Sequence, residues 1–172
     1  MTAALVASVA AACGPQAAQQ VADVPNCRAD NNSLILMAQA VPSASEIPCI
    51  QALPAGWTFR SLDVRSGTAR FWLSSDRAGT NALEVVLTAS CRRSGTPIPY
   101  DEPEVSVYQV VDTLTPRYRG DRAYVFDSGC IVYRFDFPPR NLTVFTTDAI
   151  SAVGTISRER LEKYVASLGF DL

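Results

Sequence analysis

The sequence predicts an α+β fold: an antiparallel sheet of about six strands, with a short helix before it and a second helix after it. Two observations point there. Apolar residues recur at helical spacing near the two ends, at Leu34 to Val41 and at Leu161 to Leu168. Between them, from Trp57 to Phe137, short runs of strand-like sequence follow one another, separated by brief breaks rich in Gly, Ser and Asn. Breaks of that length join antiparallel neighbours.

The first helix is expected over Asn31 to Val41, where positions 34, 35, 37, 38 and 41 are apolar, Ser33 or Asn32 caps the start and Pro42 stops the run. Glu46 to Ile50 reads as extended, and Leu53 to Gly56 as a turn. Three strands follow, Trp57 to Arg65, Thr68 to Arg77 and Ala82 to Cys91. In the third, Leu83, Val85, Leu87, Ala89 and Cys91 mark one face. Arg92 to Glu104 reads as a polar loop. A second set comprises Val105 to Thr113, Asp121 to Asp127 and Cys130 to Phe137, the last two flanking a Ser128-Gly129 turn. Pro138-Pro139 ends the sheet run, and Leu142 to Phe145 suggests one more short strand. At the carboxyl end Ser157 caps a helix carrying Leu161, Tyr164, Val165 and Leu168 on one side. Glu159 suits its first turn and Gly169 its stop.

The chain has 172 residues, of which 48% are hydrophobic, enough for one domain with a true core. The net charge of -2 offers no electrostatic footprint for nucleic acid. Histidine is absent. That removes the commonest general base, the usual bases for serine and cysteine nucleophiles, and most zinc sites. An enzyme made from this chain would depend on carboxylates, tyrosines, arginines or Lys163, so the expectation leans towards a noncatalytic protein with no cofactor and no metal.

Met1 to Ala12 is small or apolar, carries no charge and runs into Cys13-Gly14. The run is too short to span a bilayer, which takes about 20 residues, and fits the apolar region of a signal peptide. Val9-Ala10-Ala11-Ala12-Cys13 resembles the lipobox of bacterial lipoproteins. The resemblance implies a signal peptide over residues 1–12, diacylglycerol on the Cys13 thiol and Cys13 as the new amino terminus. The alternatives are a cleaved or simple export signal without lipid and an alanine-rich disordered leader with an incidental cysteine. Gly14 to Asn26 is polar and small with no periodic apolar face, so residues 13–26 are expected to form a tether and 27–172 the globular domain. On this reading the protein is extracytoplasmic, its first partner is the membrane through a lipid anchor, and an envelope protein, polymer or lipid is the second.

Setting Cys13 aside leaves Cys27, Cys49, Cys91 and Cys130, an even set suited to an exported protein. Four cysteines allow three pairings. Cys27–Cys49, around the first helix, and Cys91–Cys130, from the end of one strand to the start of another, are preferred.

Several residues are candidates for a site. Arg117, Arg119 and Arg122 surround Tyr118 in TPRYRGDRAY and form a candidate anion-binding set, although ion pairs with Asp112, Asp121 or Asp127 would also explain them. Within it, Arg119-Gly120-Asp121 matches an adhesion triplet at the level of chance. Asp101, Glu102 and Glu104 could hold a cation or act as acid and base, yet match no calcium loop and read more simply as solvated. Trp57, Phe59, Phe71 and Trp72 suit a core better than a pocket. No catalytic residue is assigned. The leading expectation is a tethered binding or scaffolding module; the rivals are a carboxylate-dependent enzyme acting on envelope glycans and a lipid carrier.

Overall fold

A computed structural model describes residues 23–172 of the chain. In order, the elements are α1 (Asn32–Ala40), β1 (Glu46–Ile50), β2 (Trp57–Arg65), β3 (Thr68–Ser75), β4 (Gly79–Thr88), β5 (Thr96–Ile98), β6 (Ser106–Thr113), β7 (Tyr118–Phe126), β8 (Gly129–Phe137), α2 (Leu142–Ala152), β9 (Val153–Ser157) and α3 (Arg158–Ser167). Seven strands form an antiparallel sheet in the order β2-β3-β4-β8-β7-β6-β5, and β1 pairs with β9 in a separate two-stranded ribbon. The fold is α+β, with one strand more in the main sheet than expected, a second sheet and a third helix.

The alternation seen in the sequence sets the register. Val85 of β4 lies between Phe71 of β3 and Tyr133 of β8, and Leu83 lies between Leu73 and Phe135 in the same way. These residues share the inner face of the sheet, and Phe71, Leu73, Leu83 and Val85 are wholly buried. Leu34 and Met37 of α1, Phe145 and Ala149 of α2 and Leu161 of α3 join the same core. Each large side chain so buried contributes about 1.5–3 kcal/mol relative to exposure.

The helix ends depart in detail from the sequence reading. The α1 cap is Asn31, whose Oδ1 accepts from the Leu34 amide at 3.2 Å, rather than Asn32 or Ser33. Ser33 points instead to the Asp23 carbonyl, to which its hydroxyl donates at 2.6 Å. Ser157 occupies the cap position of α3 but makes no side-chain capping bond. Gly169 ends that helix at φ +83°, with its amide bonded to the Ala166 carbonyl and the Phe170 amide to the Val165 carbonyl. That reciprocal pattern is a Schellman motif, and the left-handed backbone favours glycine.

Two expectations are corrected. Leu142 to Phe145 is the first turn of α2, not a strand: over the longer window Phe145, Ala149 and Ala152 line one helical face and are buried. The loop from Arg92 to Glu104 contains β5, a short edge strand whose Pro97 sits where a ladder donor is not required.

The disulfides join Cys27 to Cys49 and Cys91 to Cys130. The first pins the segment before α1 to β1, where the Ile50 amide also donates to the Pro25 carbonyl at 2.7 Å. Asn31 Nδ2 holds the Val24 carbonyl at 2.9 Å. The folded body therefore takes in Asp23 to Asn26, which the sequence reading had assigned to the tether. The second disulfide fastens the chain leaving β4 to the start of β8. Two such bridges in one small domain belong to an oxidising, extracytoplasmic compartment.

Candidate functional site

Strand parity builds the site. On β7, Tyr118, Arg122, Tyr124 and Phe126 oppose Phe137, Tyr133, Ile131 and Gly129 of β8 and so share the inner face. The intervening residues Arg119, Asp121, Ala123 and Val125 take the outer face. On β6, Gln109 sits opposite Arg122. The inner face is covered by α1 over β2 and β3 and by α2 over β8. Towards β6 two hollows open beneath α2. One, of about 320 Å³, is bordered by Glu46, Tyr100, Glu102, Tyr124, Tyr133 and Ile150. The other, of about 400 Å³, is bordered by Gln109, Tyr118, Arg122, Leu142, Thr146 and Ile150. Ile150 of α2 is the one residue that borders both, and the two hollows lie side by side as a divided groove.

Arg122 borders the second hollow together with Tyr118, and three more phenols border the first. Arg122 Nη2 donates to Gln109 Oε1 at 2.9 Å, while its Nε is buried with no acceptor among the described residues. The Tyr124 ring lies 4.9 Å from that of Tyr133 and 5.7 Å, edge-on, from that of Tyr100. Burial raises the phenol pKa of Tyr133 strongly. Burial also raises Tyr124, against the opposing pull of the Arg122 guanidinium. Tyr118 and Tyr100 are raised, again chiefly by burial. All four phenols are therefore neutral hydrogen-bonding groups at physiological pH.

The three arginines expected to act together are divided by the sheet. Arg117 and Arg119 both pair with Asp136, and Arg117 Nη2 also donates to the Asp136 carbonyl at 2.7 Å. They belong to a charged array on the outer face. There Arg70 bridges Asp63 and Glu84, and Arg134 bridges Glu84 and Asp121. Burial raises the Asp121 carboxyl, with Arg134 pulling the other way. Opposite charges on adjacent strands account for this array as cross-strand pairing. Arg122 alone of the three faces the groove.

Gly120, central to the adhesion-like triplet, lies inside β7, where an added Cβ would come within 2.5 Å of the Val110 carbonyl oxygen. Close strand approach explains that glycine. Asp101, Glu102 and Glu104 are exposed; Glu102 and Glu104 border a further hollow of about 440 Å³ together with Glu46 and Asp127. Among the described residues no group of three acids or cysteines is arranged to hold a metal ion. Trp57 and Phe71 are core residues, Phe59 packs against them, and Trp72 faces outward beside Glu84 and Arg134. Cys13 lies outside the described residues.

The sequence reading did not single out Gln109, Tyr124, Tyr133 or Ile150. Parity along Tyr118 to Phe126 was the available signal: it sets Arg122 with the tyrosines and apart from Arg117 and Arg119.

No protein-family model matches the chain, and no curated protein matches it. Among solved structures, a crystal structure from Bacteroides thetaiotaomicron aligns with 68% of this chain and 47% of its own, at 9% identity and a TM-score of 0.36. The chain thus spans about half the length of that protein. No helix among the described residues is long and apolar enough to cross a membrane.

Proposed function

We propose that this protein is a noncatalytic binding module held at the outer face of the bacterial cytoplasmic membrane by an acyl chain on Cys13. The observation that carries this reading is the pairing of all four remaining cysteines behind a leader that resembles a lipobox. The disulfides support a working life outside the cytoplasm. The leader supplies a reason for it to stay beside the membrane, where an envelope protein, polymer or lipid can be engaged.

Metabolic labelling with a radiolabelled fatty acid tests the anchor. Label should enter the protein, follow the membrane fraction and disappear in Cys13→Ser. An unlabelled protein found only in the soluble fraction would remove the anchor from the account.

One observation favours a second reading, a carboxylate-dependent enzyme acting on envelope glycans. Glu46 and Glu102 border the same two hollows, as a general acid and its partner carboxylate must share one cleft. Release of reducing sugars from purified envelope glycans, abolished by both Glu46→Gln and Glu102→Gln, would establish that chemistry. No release by the unaltered protein would retire it.

A further inference from the structure

On the main sheet, Arg122 and the exposed Arg60 are the two arginines with no carboxylate at ion-pair distance among the described residues, and of the two only Arg122 is partly buried. Arg70, Arg117, Arg119 and Arg134 each meet a carboxylate. Arg122 meets the amide of Gln109 and the hydroxyl of Tyr124, both neutral, and its Nε is shut away from solvent without an acceptor among the described residues. The Arg122 side chain is half-buried, so its charge is partly withdrawn from water with no carboxylate beside it. Core packing does not require the charge, since a methionine would fill a comparable volume. A cation retained under those conditions, on the wall of a groove, is suited to receive an anion supplied from outside.

The surroundings narrow the anion. Glu46 and Glu102 border the neighbouring hollow rather than the one Arg122 lines, so a multiply charged phosphate reaching across both would meet repulsion, a penalty that a single carboxylate carries to a lesser degree. The guanidinium fork matches the two oxygens of a carboxylate. Tyr118 lines the hollow of Arg122, and Tyr124 with Tyr100 lines the neighbouring one, presenting flat rings and neutral hydroxyls. Hollows of about 320 and 400 Å³ each have room for a single ring-sized molecule.

We infer that the groove beneath α2 binds a monocarboxylate carried on a six-membered ring, with Arg122 receiving the carboxylate and the tyrosines flanking the ring. This rests on the reading of the protein as a binding module and names its ligand class. Acidic sugars and aromatic acids share the required chemistry.

The test is calorimetric titration of the purified full-length protein with glucuronate and with benzoate, using glucose and benzyl alcohol as uncharged counterparts. At least one acid should bind with one-to-one stoichiometry, and its neutral counterpart should bind about tenfold more weakly or worse. Glucuronate ahead of benzoate identifies the sugar source; the reverse order identifies the aromatic one. Arg122→Met should abolish binding while leaving the unliganded melting temperature unchanged or higher, because no ion pair is lost. Arg122→Lys should bind with intermediate affinity, since the charge remains and the fork is lost. Failure of both acids to bind, binding that survives Arg122→Met, or a marked fall in the melting temperature of that variant would overturn the inference. If neither acid binds but fatty-acid label still enters at Cys13, the ligand class is wrong and the tethered module stands.

Discussion

Arg158, the first residue of α3, donates from Nη2 to the Val41 carbonyl oxygen at 2.7 Å and so closes the C-terminal end of α1. The same group reaches the Ala38 carbonyl at 2.7 Å, and Nε reaches the Ala44 carbonyl at 2.7 Å. Three carbonyls at and just beyond a helix end thus share one cation, which also complements the negative pole of the helix. Burial lowers the Arg158 pKa, opposed by Glu162, and the group stays charged. Only 15% of its side chain is exposed, so water cannot readily replace it. Arg158→Ala is expected to destabilise the domain by about 2–4 kcal/mol in urea unfolding, and Arg158→Lys by roughly half as much. A loss no larger than that of an exposed arginine would contradict this role.

The two disulfides should contribute separately. Cys27–Cys49 closes a sequence separation of 22 and Cys91–Cys130 one of 39. Chain-entropy arguments give about 3–4 kcal/mol for loops of these lengths, slightly more for the longer. Paired alanine replacements, Cys27 with Cys49 and Cys91 with Cys130, should each lower the midpoint of denaturant unfolding by a comparable amount. The first pair should also free the Val24 to Cys27 segment to proteolysis, since that bridge pins it to β1. Equal protease resistance in both variants would count against that assignment.

The tyrosine cluster predicts alkaline sensitivity. Burial raises the folded-state pKa of Tyr100, Tyr118, Tyr124 and Tyr133 above the ordinary value of 10.0. The unfolded chain then loses phenolic protons first. The contribution is fully present below pH 10 and is lost as the pH climbs above it. Melting temperatures measured across the alkaline range should fall steeply from about pH 10, and tyrosinate absorbance should rise together with unfolding. Free titration of all six tyrosines near pH 10 in the folded protein would show that the cluster is solvated.

Gly120→Ala is expected to destabilise the sheet by about 1–3 kcal/mol, because the new methyl group meets the Val110 carbonyl across β6 and β7. Cell-attachment assays should show no dependence on this residue beyond the amount of folded protein. Adhesion lost in a variant that is fully folded would restore the triplet as a recognition motif.

Much of the sheet was legible because alternation survives wherever one face is buried, as Leu83, Val85 and Leu87 show on β4. The α2 helix was not, because Leu142 to Thr147 is rich in β-branched residues and its helical face emerges only at Ala149 and Ala152. The ribbon strand β9 contains Gly154 and pairs with β1 more than a hundred residues earlier, so no local pattern announces it. The site was half legible. Arginines beside a tyrosine marked the right strand, but neighbours in sequence fall on opposite faces of a sheet, and only Arg122 reaches the groove.

Intact-mass analysis of protein isolated from its native host bears most directly on where and how this domain works. The account predicts a chain beginning at Cys13, heavier by a diacylglycerol and its attached acyl groups, with no free thiol. A full-length chain still starting at Met1, unacylated and carrying five reduced cysteines, would contradict it.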